Sequence, residues 1–437
     1  MPPSLPVIII GAGLSGLCCA RTLHRAGIAF ELIDSSDAVG GRVRTDQVDG
    51  FLLDRGFQVY LTAYPEGKRQ FNYEKLDLKA FEPGAGVFFD GRIQTVMDPW
   101  RRPGALLDSA LAKVGTLADK LRVGAMRSRV QRGAVEDRYN RPETTIAEYL
   151  HANGFSQAMI DRFFRPFFGG IFFDLDLRTS SRAMEFVFRC FSQGDAAVPA
   201  AGMQQLPEQI AADLPAGSIH LHTRADAINS SPGNIHVQTT DVRTNQPLTL
   251  RASAIVNAAP GCVYLPRAQG IAGQHDRGWK SVTNIYFAGS GTPPVKGPLL
   301  LLDGERTGPA SNVMFMSSAS NQYAPAGQFL ISCALIGLHD NIRGQTAEQA
   351  TSEQLGRWFG PGFAAGLRHL RTYRIEKALP DQTAPCYLRR DWPVFISPGV
   401  YACGDTHDTG SIDGALKSGR LAAEAIIADI TQASLRA

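Results

Sequence analysis

Gly11, Gly13 and Gly16 stand directly behind the apolar run Val7–Ile10, spaced two and three residues apart. Each glycine in that pattern has a physical task. Gly11 permits a tight strand-to-helix turn. Gly13 removes the Cβ that would hold a pyrophosphate off the backbone, and Gly16 lets helix and strand pack closely. Ala12, Leu14 and Ser15 complete the loop. The helix opening there presents unpaired N–H groups and a partial positive charge to phosphates. Asp34 follows 23 residues after Gly11, at the end of a second apolar run and beside Ser35. A carboxylate at that point accepts ribose hydroxyls. The predicted chemistry is dinucleotide binding. The alternative is a glycine-rich turn of another α/β protein, with Asp34 a solvated strand end.

A second pair, Gly40-Gly41, is followed by Arg42 and Arg44. It can wrap the same pyrophosphate from the other side, one arginine facing phosphate and the other the ring side or solvent. Near the chain end, a strand Val400–Cys403 runs into Gly404-Asp405. After a short loop, Gly410-Ser411-Ile412-Asp413-Gly414-Ala415 opens a helix through Ile427. With both ends in view, the sequence resembles the superfamily of FAD-containing amine oxidases, protoporphyrinogen oxidases and phytoene desaturases.

That resemblance implies FAD, held without a covalent bond. Asp405 then binds the ribityl or phosphate region. The helix begun at Ser411, Ile412 and Ala415 points its N-terminus at the flavin ring. Gly56 and Phe57 touch the isoalloxazine with Arg55 near the phosphates, unless this stretch is a plain hairpin with a solvated arginine. Ala225 lends backbone groups to the adenine edge. Six phenylalanines lie between Phe163 and Phe173. Among them Phe163, Phe167, Phe168 and Phe172 match an aromatic segment beside the family's substrate cavity, although any single one reads first as core packing between domains. Lys296 matches a lysine that holds a water near flavin N5 in amine oxidases, yet its Pro-Pro-Val-Lys-Gly-Pro surroundings read as an exposed loop. His407, in the loop after Asp405, is either an acid–base group or a hydrogen-bonded loop histidine. Cys386 lacks the Ser-Gly-Gly that precedes a flavin-tethering cysteine, and stands too close to Gly404.

The elements that must position these residues give an α/β fold. It comprises a Rossmann-like FAD-binding domain and a substrate domain with a mixed sheet and a helical cap. The FAD domain is expected discontinuously at 1–98, 200–280 and 375–437, and the substrate domain at 99–199 and 281–374. Helices are expected at Lys68–Leu76, Ala105–Arg132, Ser181–Phe191, Leu206–Leu214 and Thr346–Phe359. Strands are expected at Ala85–Val96 (two, around Asp90-Gly91), Ala254–Pro260, Ser281–Ala288, Leu299–Leu302, Phe329–Leu335 and Tyr373–Leu379.

Composition narrows the function classes. A net charge of +3 over 437 residues gives no nucleic-acid footprint. The seven cysteines form no Cys-x-x-Cys and no Cys/His cluster, so a reducing compartment and no metal site are expected. No apolar run approaches the roughly 18 residues of a membrane span. Between Pro99 and Arg141 ten Lys or Arg face four Asp or Glu, a solvated helical face or a surface for peripheral membrane contact. The expectation is a cytoplasmic enzyme, membrane-associated if that basic stretch binds lipid. It would oxidise a small, largely hydrophobic substrate by hydride transfer to flavin N5, with O2 or another acceptor closing the cycle. An amine oxidase is the alternative. A GDP-dissociation-inhibitor-like binding scaffold is the alternative of another class.

Overall fold

The computed structural model describes residues 5–105, 111–231, 234–259, 278–387 and 394–436. Val7–Ile10 is apolar and buried on both faces, as a strand inside a covered parallel sheet must be. Phe30–Ile33 pairs parallel on one side and Ala254–Asn257 on the other, with Val7 opposite both Phe30 and Ala254. Ile219–His220 and Val400–Ala402 extend the sheet in parallel, and antiparallel Phe395–Ser397 closes one edge, giving six strands. The helix Leu14–Arg25 leaves the end of Val7–Ile10 and packs on the C-terminal helix Ile412–Arg436. A Cβ on Gly419 would stand 2.1 Å from the Ser15 carbonyl, so these helices meet backbone to backbone. The other face carries the antiparallel sheet Thr223–Ser231, Asn234–Asp241 and Pro247–Ala252. Ile8, Ile10 and Ile33 share one core with its Ile228 and Val237.

A second sheet has seven strands in the order Arg368–Pro380, Trp279–Ser290, Gln328–Ile336, Asn312–Phe315, Leu300–Asp303, Gly84–Phe89 and Arg92–Met97. The hairpin turn at Asp90 and Gly91 has both φ values positive, 58° and 68°, the twist that tight hairpins favour. The sequence reading puts this hairpin with residues 1–98 in the FAD domain, but Gly84–Phe89 pairs parallel with Leu300–Asp303 and so belongs to the second sheet. In the same sheet Trp279–Ser290 begins before 281, and Arg368–Pro380 runs on past 374, the limits expected for the substrate domain.

Helices cover the second sheet. The long helix expected over Ala105–Arg132 is Leu117–Gln131. Its start is fixed by a capping box: Thr116 Oγ1 accepts the Asp119 N–H, and Asp119 accepts the Thr116 N–H at 2.8 Å. Residues 106–110 of that expectation, and Pro260 at the end of the expected strand from Ala254, lie outside the described residues. Lys68–Leu76 is two helices, Pro65–Gln70 and Tyr73–Leu76, because Phe71 between them is extended. The phenylalanine-rich segment is helical throughout. A π-helical turn, Ile160–Phe164, continues into Arg165–Phe172, and Phe173 ends it with φ 52°. Ser181–Gln193 packs beside it. Among the described residues, no helix is long and apolar enough to cross a membrane.

Candidate functional site

The two glycine motifs form one cradle. Gly11 has φ 107°, and Gly40 donates its N–H to the Ala12 carbonyl at 2.8 Å. Gly13 and Gly40 form a bridge, and a Cβ on Gly41 would stand 3.3 Å from the Gly13 Cα. The first-motif glycines divide their tasks. A Cβ on Gly16 would lie 1.9 Å from the Gly11 carbonyl oxygen, so Gly16 serves packing. A Cβ on Gly13 would meet nothing within 4 Å, so Gly13 keeps space open for a ligand. Asp34 Oδ2 accepts the Ala12 N–H at 2.6 Å, while Oδ1 accepts the backbone N–H and hydroxyl of Ser36. With one such bond, Oδ2 retains acceptor capacity for a ribose hydroxyl.

Residues 363 apart in sequence join the chain's two ends. Arg42 Nη2 donates to Asp405 Oδ1 at 2.6 Å, and Nη1 to the Ala378 carbonyl at 3.1 Å. The guanidinium lies 5.1 Å from the Trp279 ring. Arg44 does not share this role. It is buried, donating to Gln204 and Asp37. Nor is Arg55 a free phosphate ligand: it is held by Asp46 at 2.9 Å. Burial opposes ionisation of Asp46, but bonds from Arg55 and Tyr373 outweigh it and hold the carboxyl below its usual range.

From the cradle a single cavity of about 1640 Å³ runs to the helical cap. That exceeds the roughly 300–1,000 Å³ of an ordinary ligand pocket, leaving room for a dinucleotide and a substrate together. Gly11, Gly13, Leu14, Ser15, Asp34, Gly40, Gly41, Arg42, Gly56, Phe57, Gly404, Asp405, Ser411, Ile412 and Ala415 line it, as does His407. An open Gly13 face, a ribose-level carboxylate and a helix N-terminus at Ser411 on one wall fit FAD.

Several expected site residues lie elsewhere. Ala12 and Gly16 are buried off the cavity surface, and Ser35 is exposed beside Asp34 without lining it. Ala225 sits off the cavity, paired with Thr239 in the three-stranded sheet. Lys296 lines a separate small pocket with Ile93, Val295 and Leu299, so its loop does not bring it to the flavin position. Phe163, Phe167 and Phe172 do line the cavity. Phe168 is fully buried off the cavity, packed against Phe164 and Phe188.

Other lining residues carry no motif in the sequence. Phe188 and Phe191 come from Ser181–Gln193, whose apolar spacing was the available signal. Phe81 stacks on Phe57 with ring centroids 6.3 Å apart. At the start of the helix Ile412–Arg436, Asp413 accepts the N–H groups of Glu66 and Gly67 at 2.8 and 3.1 Å, and burial pushes its carboxyl up to about 6. Cys403 also lines the cavity, its thiol raised by burial to about 12 and thus unreactive.

A family model described as flavin containing amine oxidoreductase matches residues 14–427. Among curated proteins, polyamine oxidase 5 of Oryza sativa subsp. japonica is 47% identical over 55 residues, 13% of this chain and 11% of that protein. The 4,4'-diapolycopene oxygenase of Methylomonas sp is 48% identical over 93 residues, 19% of this chain and 18% of that protein. The matched stretches thus span under a fifth of either relative. Among solved structures, a putative protoporphyrinogen oxidase from Exiguobacterium sp. 255-15 superposes with a TM-score of 0.68 at 17% identity, covering 97% of this chain and 99% of that one. At that identity the likeness shows the shared fold.

Proposed function

Because the chain belongs to the flavin containing amine oxidoreductase family and is an FAD-dependent oxidoreductase, we propose that it oxidises a largely apolar substrate, of the desaturase or oxidase type, rather than an amine. The observation that carries this reading is the wall of the cavity's outer half. Phe163 and Phe167 stack at 5.4 Å, Phe167 meets Phe191 at 5.5 Å, and Phe57 and Phe81 stand in the same cavity. Ring faces also attract a protonated amine, but a desolvated ammonium is held far more strongly where an unpaired carboxylate faces it. Glu82 and Asp98 line this end, but each is held by an arginine: Arg102 at 2.9 Å and Arg127 at 2.7 Å. A flat or extended hydrocarbon instead gains from every ring it covers.

Bound FAD supplies the electron sink, accepting hydride from a substrate C–H. The chain supplies position and field. Gly13 and Gly41 admit the pyrophosphate, Asp34 holds the ribose, and Arg42 with Asp405 fixes the end near Trp279. The N-terminus of Ile412–Arg436 favours negative charge on the reduced ring. The phenylalanine wall orients the reacting carbon and keeps water out. A binding scaffold needs none of this, and membership of an oxidoreductase family removes that alternative.

The test is anaerobic mixing of the purified holoprotein with apolar polyenes or with aliphatic polyamines, following the flavin absorbance. Bleaching by the apolar compounds alone is expected. Faster bleaching by the amines would overturn the reading in favour of amine oxidation.

A further inference from the structure

The cavity opens on a rim that leaves large apolar side chains in water. Leu117 and Leu121 stand one turn apart on Leu117–Gln131 and are 66% and 71% exposed, although both line the cavity. Trp100 lines the same mouth and is 56% exposed, stacked under Arg127 at 5.1 Å. Leu111 is 72% exposed, and Lys120 reaches the neighbouring Ala112 carbonyl at 3.1 Å, which ties that stretch to the helix. Isolated exposed leucines are ordinary. Several gathered at the entrance of an apolar cavity mark a surface that is covered in use.

The charges beside the rim indicate what covers it. Arg122 and Arg129 stand on the same helix as the leucines, and Arg132 caps its C-terminal end. The only carboxylate of that helix, Asp119, is buried and accepts bonds from Thr116 and Ser156. Arg122 lies 3.5 Å from it with its own side chain 41% exposed. Arg129 donates to the neutral Asn153 and Arg132 to Ser128. Exposed apolar side chains bordered by cations are the composition that lies in an anionic lipid interface.

We propose that the rim of Trp100, Leu117 and Leu121, with the exposed Leu111 beside it, seats on an anionic lipid surface, so that the apolar substrate enters the cavity from lipid without crossing water. This rests on the apolar-substrate reading above. The leucines enter the acyl boundary, and the three arginines stay at the headgroups. Lys113 and Arg102 are engaged by Asp90 and Glu82 and add little to the attraction.

The test uses the holoprotein with vesicles of phosphatidylcholine alone or mixed with phosphatidylglycerol, measuring the fraction that co-sediments. Retention by the anionic vesicles at low salt, weakened at high salt, is expected. Leu117→Asp/Leu121→Asp should lower retention by about tenfold or more, and Arg129→Glu/Arg132→Glu should lower it by a smaller factor. Flavin absorbance and thermal midpoint report that each variant is folded. Wild-type protein left in the supernatant at low salt would overturn the proposal. So would variants retained like wild type, or a concentration-dependent dimer that the leucine variant abolishes, since a second copy would then cover the rim. Retention is read without substrate. If amines prove to be the substrates while the vesicles still hold the protein, the substrate reading fails and the docking surface stands.

Discussion

At the scale of single residues, the glycines of the first motif look alike in sequence and differ in what surrounds them. The missing side chain of Gly13 faces open cavity, and its φ of −74° suits any residue. Gly13→Ala, at the helix N-cap, should therefore cost the FAD-free protein no more than about 1 kcal/mol. Its FAD dissociation constant should rise by about tenfold or more, roughly 1.4 kcal/mol, because the added methyl occupies the pyrophosphate's approach. Gly16→Ala should do the reverse, costing about 1–3 kcal/mol of stability through a clash with the Gly11 carbonyl. Urea midpoints of both apoproteins and FAD titration by fluorescence quenching separate the cases. Equal losses of stability would show that Gly13 has no ligand-specific role. These glycines and Asp34 were legible in sequence because their places are set by local backbone. The positions of Ala225, Lys296 and Arg44 were not, because each depends on how a distant strand or loop docks. A lysine between two prolines gives no signal of which cavity it borders.

At the scale of elements, Asp54 shows what a local reading misses. It ends the strand Phe51–Asp54, is fully buried, and joins four segments. It accepts bonds from Thr45 Oγ1 at 2.6 Å, the Met203 N–H at 2.9 Å and the Tyr323 hydroxyl at 2.7 Å, and its carbonyl accepts the Tyr286 hydroxyl at 2.9 Å. Burial pushes its carboxyl up to about 6 against the pull of those bonds. An unfolded aspartate titrates near 3.9. Between these values the folded state holds more protons, so Asp54 makes stability fall as pH rises from about 4 to about 6, and then level off. The size is on the order of 2–3 kcal/mol. Carboxylates held below their usual range, such as Asp46, act in the opposite sense. The readout is therefore the difference between wild type and Asp54→Asn, which keeps an acceptor for Thr45 and Met203. That difference should move in favour of the uncharged variant by this amount on going from about pH 4 to about pH 6.5. A difference that is flat with pH would mean Asp54 titrates normally. In sequence Asp54 reads only as part of an Asp-Arg-Gly turn, since its partners Tyr286 and Tyr323 lie more than 200 residues away.

At the scale of the whole molecule, the chain's two ends and the elements of its middle were legible, but not how the middle's strands pair. The six-stranded sheet follows from apolar runs next to glycine motifs. The seven-stranded sheet gathers Gly84–Phe89 beside Leu300–Asp303, a pairing no local pattern announces. The cavity lies where these assemblies meet, lined by the glycine cradle on one side and by the cap's phenylalanines and the strand Arg368–Pro380 on the other. A ligand filling it touches elements that the unfolded chain cannot bring together, so FAD binds the folded state alone. Linkage then sets the outcome. Free FAD at a hundredfold excess over its dissociation constant should stabilise the protein by about 2.7 kcal/mol. Stripping FAD should lower the thermal midpoint, and titrating it back should raise the midpoint with the logarithm of free FAD. Arg42→Met should blunt that rise, because it leaves the mostly buried Asp405 carboxylate without its ion-pair partner at the cofactor wall. A midpoint that ignores added FAD, while binding is seen by quenching, would mean that the transition being read is not that of the part that holds FAD, so that the cradle and the cap unfold separately.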